Sequence, residues 1–423
     1  MSSLLSIIGI FVLLAIAFLL SENRKAINYR TVFGALGMQI AIGALILYVS
    51  AGRNALLAIS NGVQKVIDYG NDGIGFLFGG LVSDKMFEVF GGGGFIFALR
   101  VLPVIVFFAS LISVLYYIGI MQWVIKILGG FLQAVLKTSK TESMSAAANI
   151  FVGQTEAPLV VKPYIAKMTQ SELFAVMCGG LASIAGSALA GYAAMGVPVP
   201  YLIAASFMAA PGGLLFAKIL VPQTETVNDE IDYDNNEDKP ANILDAAAGG
   251  ASAGMQLALN VGAMLLAFVA LIALLNGIIG GVGAWFNQPE LSLQMILGWL
   301  FQPLAYIIGV PWGEAQVAGS MIGQKLVINE FVAYLDFGRY LGENPPMVLT
   351  DKTKAIITFA LCGFANLGSI AILIGGIGTL APNRRSDIAR MGIKAVIAGS
   401  LSNLMSATIA GLFIGLTGIA LIG

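Results

Sequence analysis

Gly153-Gln154-Thr155-Glu156-Ala157-Pro158 lies in the middle of a largely apolar stretch, and its reading decides the fold. Glycine admits positive φ and proline withholds a backbone donor, so a helix breaks here. The break bares carbonyls and amides. Gln154, Thr155 and Glu156 add donors and acceptors suited to an uncharged, hydrogen-bonding ligand. A carboxylate at bilayer depth costs about 2.5–3.5 kcal/mol on insertion scales, so it persists there mainly for function. The plainer alternative is an ion pair between Glu156 and Lys162.

Composition says that the surroundings are lipid. The chain has 423 residues, 58% hydrophobic and 11% charged, where a soluble domain carries roughly 25% charged residues. A helix needs about 20 apolar residues to cross the hydrocarbon. In lipid every backbone polar group must be satisfied internally, which leaves helices or closed barrels. The apolar runs are long and lack period-2 alternation, so helices are expected. A net charge of -1 offers no basic patch for nucleic acid, and the absence of histidine excludes His-ligated metals, His-based triads and His proton relays. Cys178 and Cys362 fall in apolar segments and suggest no disulfide framework.

The spans read as Leu4–Leu20, Val32–Val49, Phe95–Met121, Leu173–Met195, Tyr201–Val221, Met255–Ile279, Ala355–Leu380 and Ile393–Leu421, about eight crossings. No basic residue precedes the first, so it reads as a retained span and not a signal peptide. Asp68 to Gly94 is Gly-rich and amphipathic, an expected interfacial helix. Ser143–Ile165 and Trp312–Leu335 are moderately apolar with a carboxylate in mid-segment, and each fits a hairpin that enters the bilayer and turns back. Such irregular backbone is tolerated only where it lines a cavity. Arg24, Lys25, Arg30, Lys126, Lys137, Lys140, Arg384, Arg385 and Arg390 cluster in loops of one side. If those loops are inside, both termini lie outside, although Arg53, Lys65, Lys352 and Lys354 oppose the bias. An acidic linker, Gln223–Pro240, divides the chain into halves.

The halves echo each other. Cys178-Gly-Gly-Leu-Ala-Ser-Ile-Ala-Gly-Ser187 sets beside Cys362-Gly-Phe-Ala-Asn-Leu-Gly-Ser-Ile-Ala371, and upstream of each lies one hairpin with a glutamate, Glu156 or Glu330. Gly-interrupted segments at corresponding places are the pattern of transporters with internal repeats, whose substrate sites lie at broken helices near the midplane. A short match in a chain so rich in Gly and Ala also arises by chance. Asn329-Glu330-Phe331 carries the second intramembrane carboxylate, and Phe364-Ala365-Asn366-Leu367-Gly368-Ser369 interrupts a strong span. Phe364 could pack on a flat base or sugar face; equally, Asn366 and Ser369 could tie helices together. Asn149 and Ser183 offer neutral oxygens, and Val152 and Ile184 offer carbonyls beside the breaks, a set suited to a hard cation. Glu314 and Lys325 are ambiguous and either could sit at the water interface; Arg100 receives no role. Trp123, Trp285, Trp299 and Trp312 lie near span ends, where aromatic belts form. Gly91–Gly94 lacks the lysine and the strand–helix context of a phosphate loop and reads as a hinge or close contact.

Gly153–Pro158, the Ser183-Ile-Ala-Gly stretch, Asn329-Glu-Phe and Phe364-Ala-Asn-Leu-Gly-Ser, in that order, resemble the signature segments of the concentrative nucleoside transporter family, specifically its shorter bacterial members. The resemblance covers essentially the whole chain. It implies a homotrimer in the bacterial inner membrane, with eight spans, an interfacial helix and two re-entrant hairpins of opposite orientation in an inverted repeat. A scaffold would occupy 1–121, the first transport repeat 122–221, the linker and a scaffold helix 222–310, and the second repeat 311–423. The resemblance also implies that Gly153, Gln154, Thr155 and Glu156 address the base, that Glu330, Asn366 and Ser369 hold the ribose, and that Phe364 packs on the nucleoside. Sodium would bind Asn149 and Ser183 with the carbonyls of Val152 and Ile184. Ala188 departs from the bulkier valine that the family places against the base, which leaves base preference open. Sodium-driven uptake of a uridine-like nucleoside by an elevator motion is the function implied. Proton coupling, a passive channel and, remotely, an intramembrane carboxylate enzyme are the alternatives.

Overall fold

The computed structural model describes residues 2–90, 94–227, 240–342 and 344–418. Gly91–Gly93, most of the acidic linker and the last residues of the span expected at 393–421 lie outside the described residues. Among the described residues the chain is helical throughout, with no strand.

The amino-terminal third holds α1 (Ser2–Leu20), α2 (Tyr29–Gly43, prolonged by a π-turn over Ala44–Tyr48), α3 (Ser50–Phe78), the short α4 (Lys85–Phe90) and α5 (Phe97–Arg100), and α6 (Leu102–Tyr117). Asn28 starts α2 by accepting from the amides of Arg30 and Thr31, two of the donors that a helix start leaves orphaned. Of the stretch 68–94 expected as one amphipathic helix, only 68–78 lies in α3; a 3-10 turn and α4 follow. α3 begins at Ser50 and ends at Phe78, where Gly79 takes positive φ. Asn54, Asn61, Gln64 and Lys65 fall at helical spacing on its exposed face.

The first repeat contains α7 (Ile120–Leu136), α8 (Lys140–Ala148), a 3-10 turn (Ala157–Val161), α9 (Lys162–Ile165), α10 (Gln170–Ala182), α11 (Gly186–Ala194) and α12 (Val199–Leu220). After α13 (Ile243–Ala284) the second contains α14 (Leu293–Ile307), α15 (Trp312–Val327), α16 (Glu330–Leu341), α17 (Asp351–Leu361), α18 (Ser369–Leu380) and α19 (Arg385–Thr417). The order is the same in both: a leading helix, a two-armed hairpin, a broken span and an unbroken span. The leading helices α7 and α14 pack on the first hairpin arms α8 and α15. Sequence reading missed both, because at 17 and 15 residues they fall short of a crossing. Between α14 and α15 the chain bends by 117°, and Gly309 at the bend has φ +110°, a conformation that costs glycine little.

Among the described residues six helical stretches are long and apolar enough to cross a membrane: 29–48, 97–117, 170–194, 199–220, 243–284 and 382–417. Leu4–Leu20 is a shorter apolar helix, and the broken pair α17–α18 stands where the span 355–380 was expected. In the stretch 170–194 and in α12 94% of the apolar window is buried, against 22% in α13. The repeats therefore form the core, and α13, paired with α6, lies at its margin. Gly250 and Gly254 make that pairing close. A Cβ on Gly254 would meet Ala109 Cβ at 2.7 Å and Val106 Cα at 2.8 Å.

Candidate functional site

The two hairpins and the two broken spans meet at one place. In the first hairpin, α8 ends at Asn149, the chain is irregular through Glu156, and the Gly153 amide donates to Glu156 Oε2 at 2.6 Å. In the second, Asn329 accepts from the Val332 amide at 2.9 Å, so the α16 N-terminus carries Glu330 in its first turn. A carboxylate is favoured at a helix N-terminus, where the macrodipole is positive.

The breaks in α10–α11 and α17–α18 are stitched together through backbone. The Phe364 amide donates to Ser183 O at 3.1 Å, the Gly186 amide to Phe151 O at 2.9 Å, and the Leu367 amide to Leu326 O at 3.1 Å. Each break thus satisfies part of its freed backbone with the other repeat or with a hairpin, as lipid burial demands.

Side chains cross the same junction. Gln154 Nε2 donates to Ser369 Oγ at 3.4 Å, joining the first hairpin to α18. Asn366 Nδ2 donates to Glu330 Oε2 at 3.1 Å, and Asn366 Oδ1 accepts from the Ser369 amide at 2.9 Å. A Cβ on Gly153 would lie 3.1 Å from Glu156 Oε2 and 3.7 Å from Phe364 Cε2, so Glu156 and Phe364 flank the same glycine. Thr155 lies against Gly376 of α18. Gln154, Glu330, Asn366, Ser369 and Ala188 are buried, while Glu156 and Thr155 are exposed. Glu156 faces a cleft of about 890 Å³ between the first hairpin and α6 and α13, lined also by Tyr116, Val152 and Ser187.

The four cation candidates are also adjacent in the fold. Asn149 ends α8 and Ser183 ends α10; Val152 and Ile184 lie in the irregular stretches that follow. A Cβ on Gly179 would meet Asn149 Nδ2 at 2.9 Å, which places that side chain on the last turn of α10. Asn149 Nδ2 donates to Ser145 O at 2.9 Å and Ser183 Oγ donates to Gly179 O at 2.9 Å. Asn149 Oδ1 is buried with no hydrogen-bond partner. An orphaned buried oxygen costs about 1–3 kcal/mol, and a hard cation would satisfy it. The oxygen chemistry therefore fits sodium.

Two assignments change. Lys325 is not at a water interface: it is 3% exposed, and its Nζ donates to Ala360 O at 2.9 Å and to Asn403 Oδ1 at 2.6 Å. Glu314 is also buried and accepts from the Thr350 amide and hydroxyl at 3.2 and 2.9 Å, tying α15 to α17. Arg100, left without a role, donates to Ser83 O at 3.1 Å and lies over the Phe87 ring at 4.8 Å. Tyr192 was missed. Its hydroxyl donates to Glu330 Oε1 at 3.2 Å, and its ring lies 4.7 Å from Phe331 and 4.6 Å from Tyr334. The signal was there: a tyrosine inside an apolar span needs a partner for its hydroxyl.

An all-helical bilayer protein with two hairpins of opposite orientation, two broken spans and a polar junction between them is a membrane transporter of the inverted-repeat class. Residues 8–81 match the Na+ dependent nucleoside transporter N-terminus, residues 98–199 a nucleoside recognition gate, and residues 201–411 the Na+ dependent nucleoside transporter C-terminus. An uncharacterized transporter of Haemophilus influenzae is 68% identical over 100% of both chains. The nucleoside permease NupC of Helicobacter pylori is 58% identical over 98% of this chain and 99% of its own. Human solute carrier family 28 member 3 is 37% identical over 97% of this chain and 60% of its own length. The structure of CNTnw in an inward-facing, substrate-bound state superposes with a TM-score of 0.96 at 68% identity, covering 100% of both chains. A variant of CNTnw in an outward-facing state gives the same values. The chain belongs to the concentrative, Na+ dependent nucleoside transporter family: it is an integral membrane transporter and not an enzyme.

Proposed function

We propose that this protein takes up uridine-like nucleosides by secondary active symport with sodium, through an elevator motion. The observation that carries the proposal is the bonding of Gln154 to Ser369 and of Asn366 to Glu330, which joins residues of both repeats into one binding surface. Gly153, Gln154, Thr155 and Glu156 address the base. Glu330, Asn366 and Ser369 take the ribose hydroxyls, and Phe364 packs on the nucleoside. Buried Ala188 leaves the base pocket roomy. Both carboxylates act as ligands, not as acid and base catalysts.

Asn149, Ser183 and the carbonyls of Val152 and Ile184 hold the sodium ion. Val152 is bonded in sequence to Gly153, so an ion that orders the hairpin tip also orders the base-binding residues. Coupling of this kind is reciprocal: nucleoside must tighten sodium by the factor with which sodium tightens nucleoside.

The packing suggests which parts move. α6 pairs with α13, and we assign these with α3 to the scaffold. α1 packs on α12, α14 and α19, and α2 packs on α12, so within 1–121 these two helices are assigned to the moving core built from 122–221 and 311–423. The assembly is a homotrimer in the bacterial inner membrane, as the family resemblance implies, and the bias of Lys and Arg among the loops puts both termini in the periplasm.

Proteoliposomes loaded without sodium test the symport. An inward sodium gradient is expected to drive accumulation of labelled uridine above its equilibrium level, competed by unlabelled nucleoside. Uptake that ignores sodium but follows an inward proton gradient would assign the coupling to protons. Uptake that never exceeds equilibrium would make the protein a passive path.

A further inference from the structure

The two repeats treat the same structural position differently. In the first, the C-terminal ends of α8 and α10 converge, and three buried polar atoms around the hairpin lack a hydrogen-bond partner: Ser145 Oγ, Asn149 Oδ1 and Gln154 Oε1. In the second, the corresponding ends are those of α15 and α17, capped at Ile328 and Cys362. Among the described residues, no side-chain atom of α15, α16, α17 or the 362–368 break is left buried without a partner.

What fills the second position is Lys325, on the last turn of α15. Its ammonium reaches Ala360 O on the last turn of α17 at 2.9 Å and Asn403 Oδ1 at 2.6 Å. Asn403 comes from α19, and its Nδ2 donates to Ala182 O at 2.6 Å and Cys362 O at 2.9 Å, the ends of both broken spans. With both amide hydrogens given to carbonyls, Asn403 can offer Lys325 only its oxygen. The ammonium therefore sits among oxygens at the converging negative ends of α15, α10 and α17. Each such end carries a partial negative charge, roughly half an electron, that attracts a cation. Asn366, in the same break that Asn403 holds at Cys362, donates to Glu330 Oε2 at 3.1 Å, so the break links Lys325 to Glu330.

We propose that the Lys325 ammonium is a tethered cation that serves the second repeat as a free coupling ion serves the first. It neutralises three helix ends, fixes the break of α17–α18 through Asn403, and holds Glu330 as the acceptor that receives the sugar. The second repeat then needs no ion from solution, and only the first repeat's site is filled and emptied during transport. Lys325 is a positioning residue: it acts on the cargo through Glu330 and the break. The inference rests on the sodium reading of the first repeat for the word coupling, but its charge argument stands on Lys325 alone.

The test titrates purified wild-type, Lys325→Met and Lys325→Ser proteins with uridine by calorimetry across a sodium series, with choline as balancing salt. The wild type is expected to show one sodium per uridine in the affinity slope. Lys325→Met, similar in shape without charge, is expected to bind uridine about tenfold or more weakly at saturating sodium. Lys325→Ser, which supplies an oxygen and room, is expected to recover at high sodium with a slope near two. Wild-type affinity in Lys325→Met overturns the proposal, as does a serine variant that never recovers. A wild type blind to sodium with a weakened Lys325→Met sinks the sodium reading of the first repeat while upholding the tethered charge. Should the single variants aggregate, the Lys325→Met/Glu330→Gln double variant decides: monodisperse protein supports charge pairing, and continued aggregation refutes it.

Discussion

In the proposed site Glu330 has both oxygens already engaged, Oε1 by the Tyr192 hydroxyl at 3.2 Å and Oε2 by Asn366 at 3.1 Å. Two neutral donors orient the carboxylate without cancelling its charge, so its remaining lone pairs stay strong acceptors for sugar hydroxyls. Hydrogen bonds to a charged group are worth about 1.5–3 kcal/mol. Glu330→Gln is therefore expected to weaken uridine binding about tenfold to a hundredfold with unchanged gel-filtration behaviour; wild-type affinity in a well-folded variant removes Glu330 from the site. Tyr192→Phe deletes one orienting bond and is expected to cost about 1 kcal/mol, roughly a fivefold loss, read by the same titration. The candidates Glu156, Glu330, Asn366 and Ser369, which the fold brings to one junction, stood out in sequence because polar groups contrast with an apolar background. Tyr192 and Asn403 were not, because a lone tyrosine or asparagine in a span also serves as ordinary helix glue, and only the partner across the fold tells the two apart.

Elements were legible where apolarity or a break marked them, and illegible where helices lie flat or end early. The hairpins were visible from their carboxylates and Pro158, whereas α7 and α14 were hidden because they stop short of a crossing, and the start of α3 because its polar face imitates a loop. The base of the first hairpin shows how such an element is anchored. Ser139 and Glu142 form a capping box at the α8 start, and Thr169 and Glu172 form another at the α10 start. Thr141 Oγ1 donates to Glu172 Oε1 at 3.1 Å, and Lys218 of α12 pairs with Glu142 and donates to Ser171 Oγ at 2.9 Å. Glu142 and Lys218 are both buried. Removing one member of a buried pair strands the other charge at a cost of about 3–5 kcal/mol. Lys218→Met is thus expected to lower thermal stability more than the Lys218→Met/Glu142→Gln double variant does. A double variant less stable than Lys218→Met would show that the pair itself, and not the stranded charge, dominates.

At the scale of the molecule the question is whether the core slides along α6. The two bodies touch closely where α11 crosses α6: a Cβ on Gly191 would lie 3.6 Å from Val101 Cγ1 and 3.7 Å from Ile105 Cγ1. A cysteine sulfur at 105 can take the place of Ile105 Cγ1, which lies 3.7 Å from a Cβ at 191, so Gly191→Cys with Ile105→Cys offers a staple between the proposed moving core and the proposed scaffold. The native thiols do not interfere, because Cys178 and Cys362 are buried and unpaired. Oxidation of the double variant is expected to reduce sodium-driven uridine uptake to the level of empty liposomes. Binding of uridine to the detergent-solubilised protein should persist, because the staple lies outside the Gln154–Ser369 and Asn366–Glu330 contacts. Dithiothreitol should restore uptake. Full uptake with the cross-link formed in every chain would mean that α11 and α6 travel together, and the elevator would have to run along another seam.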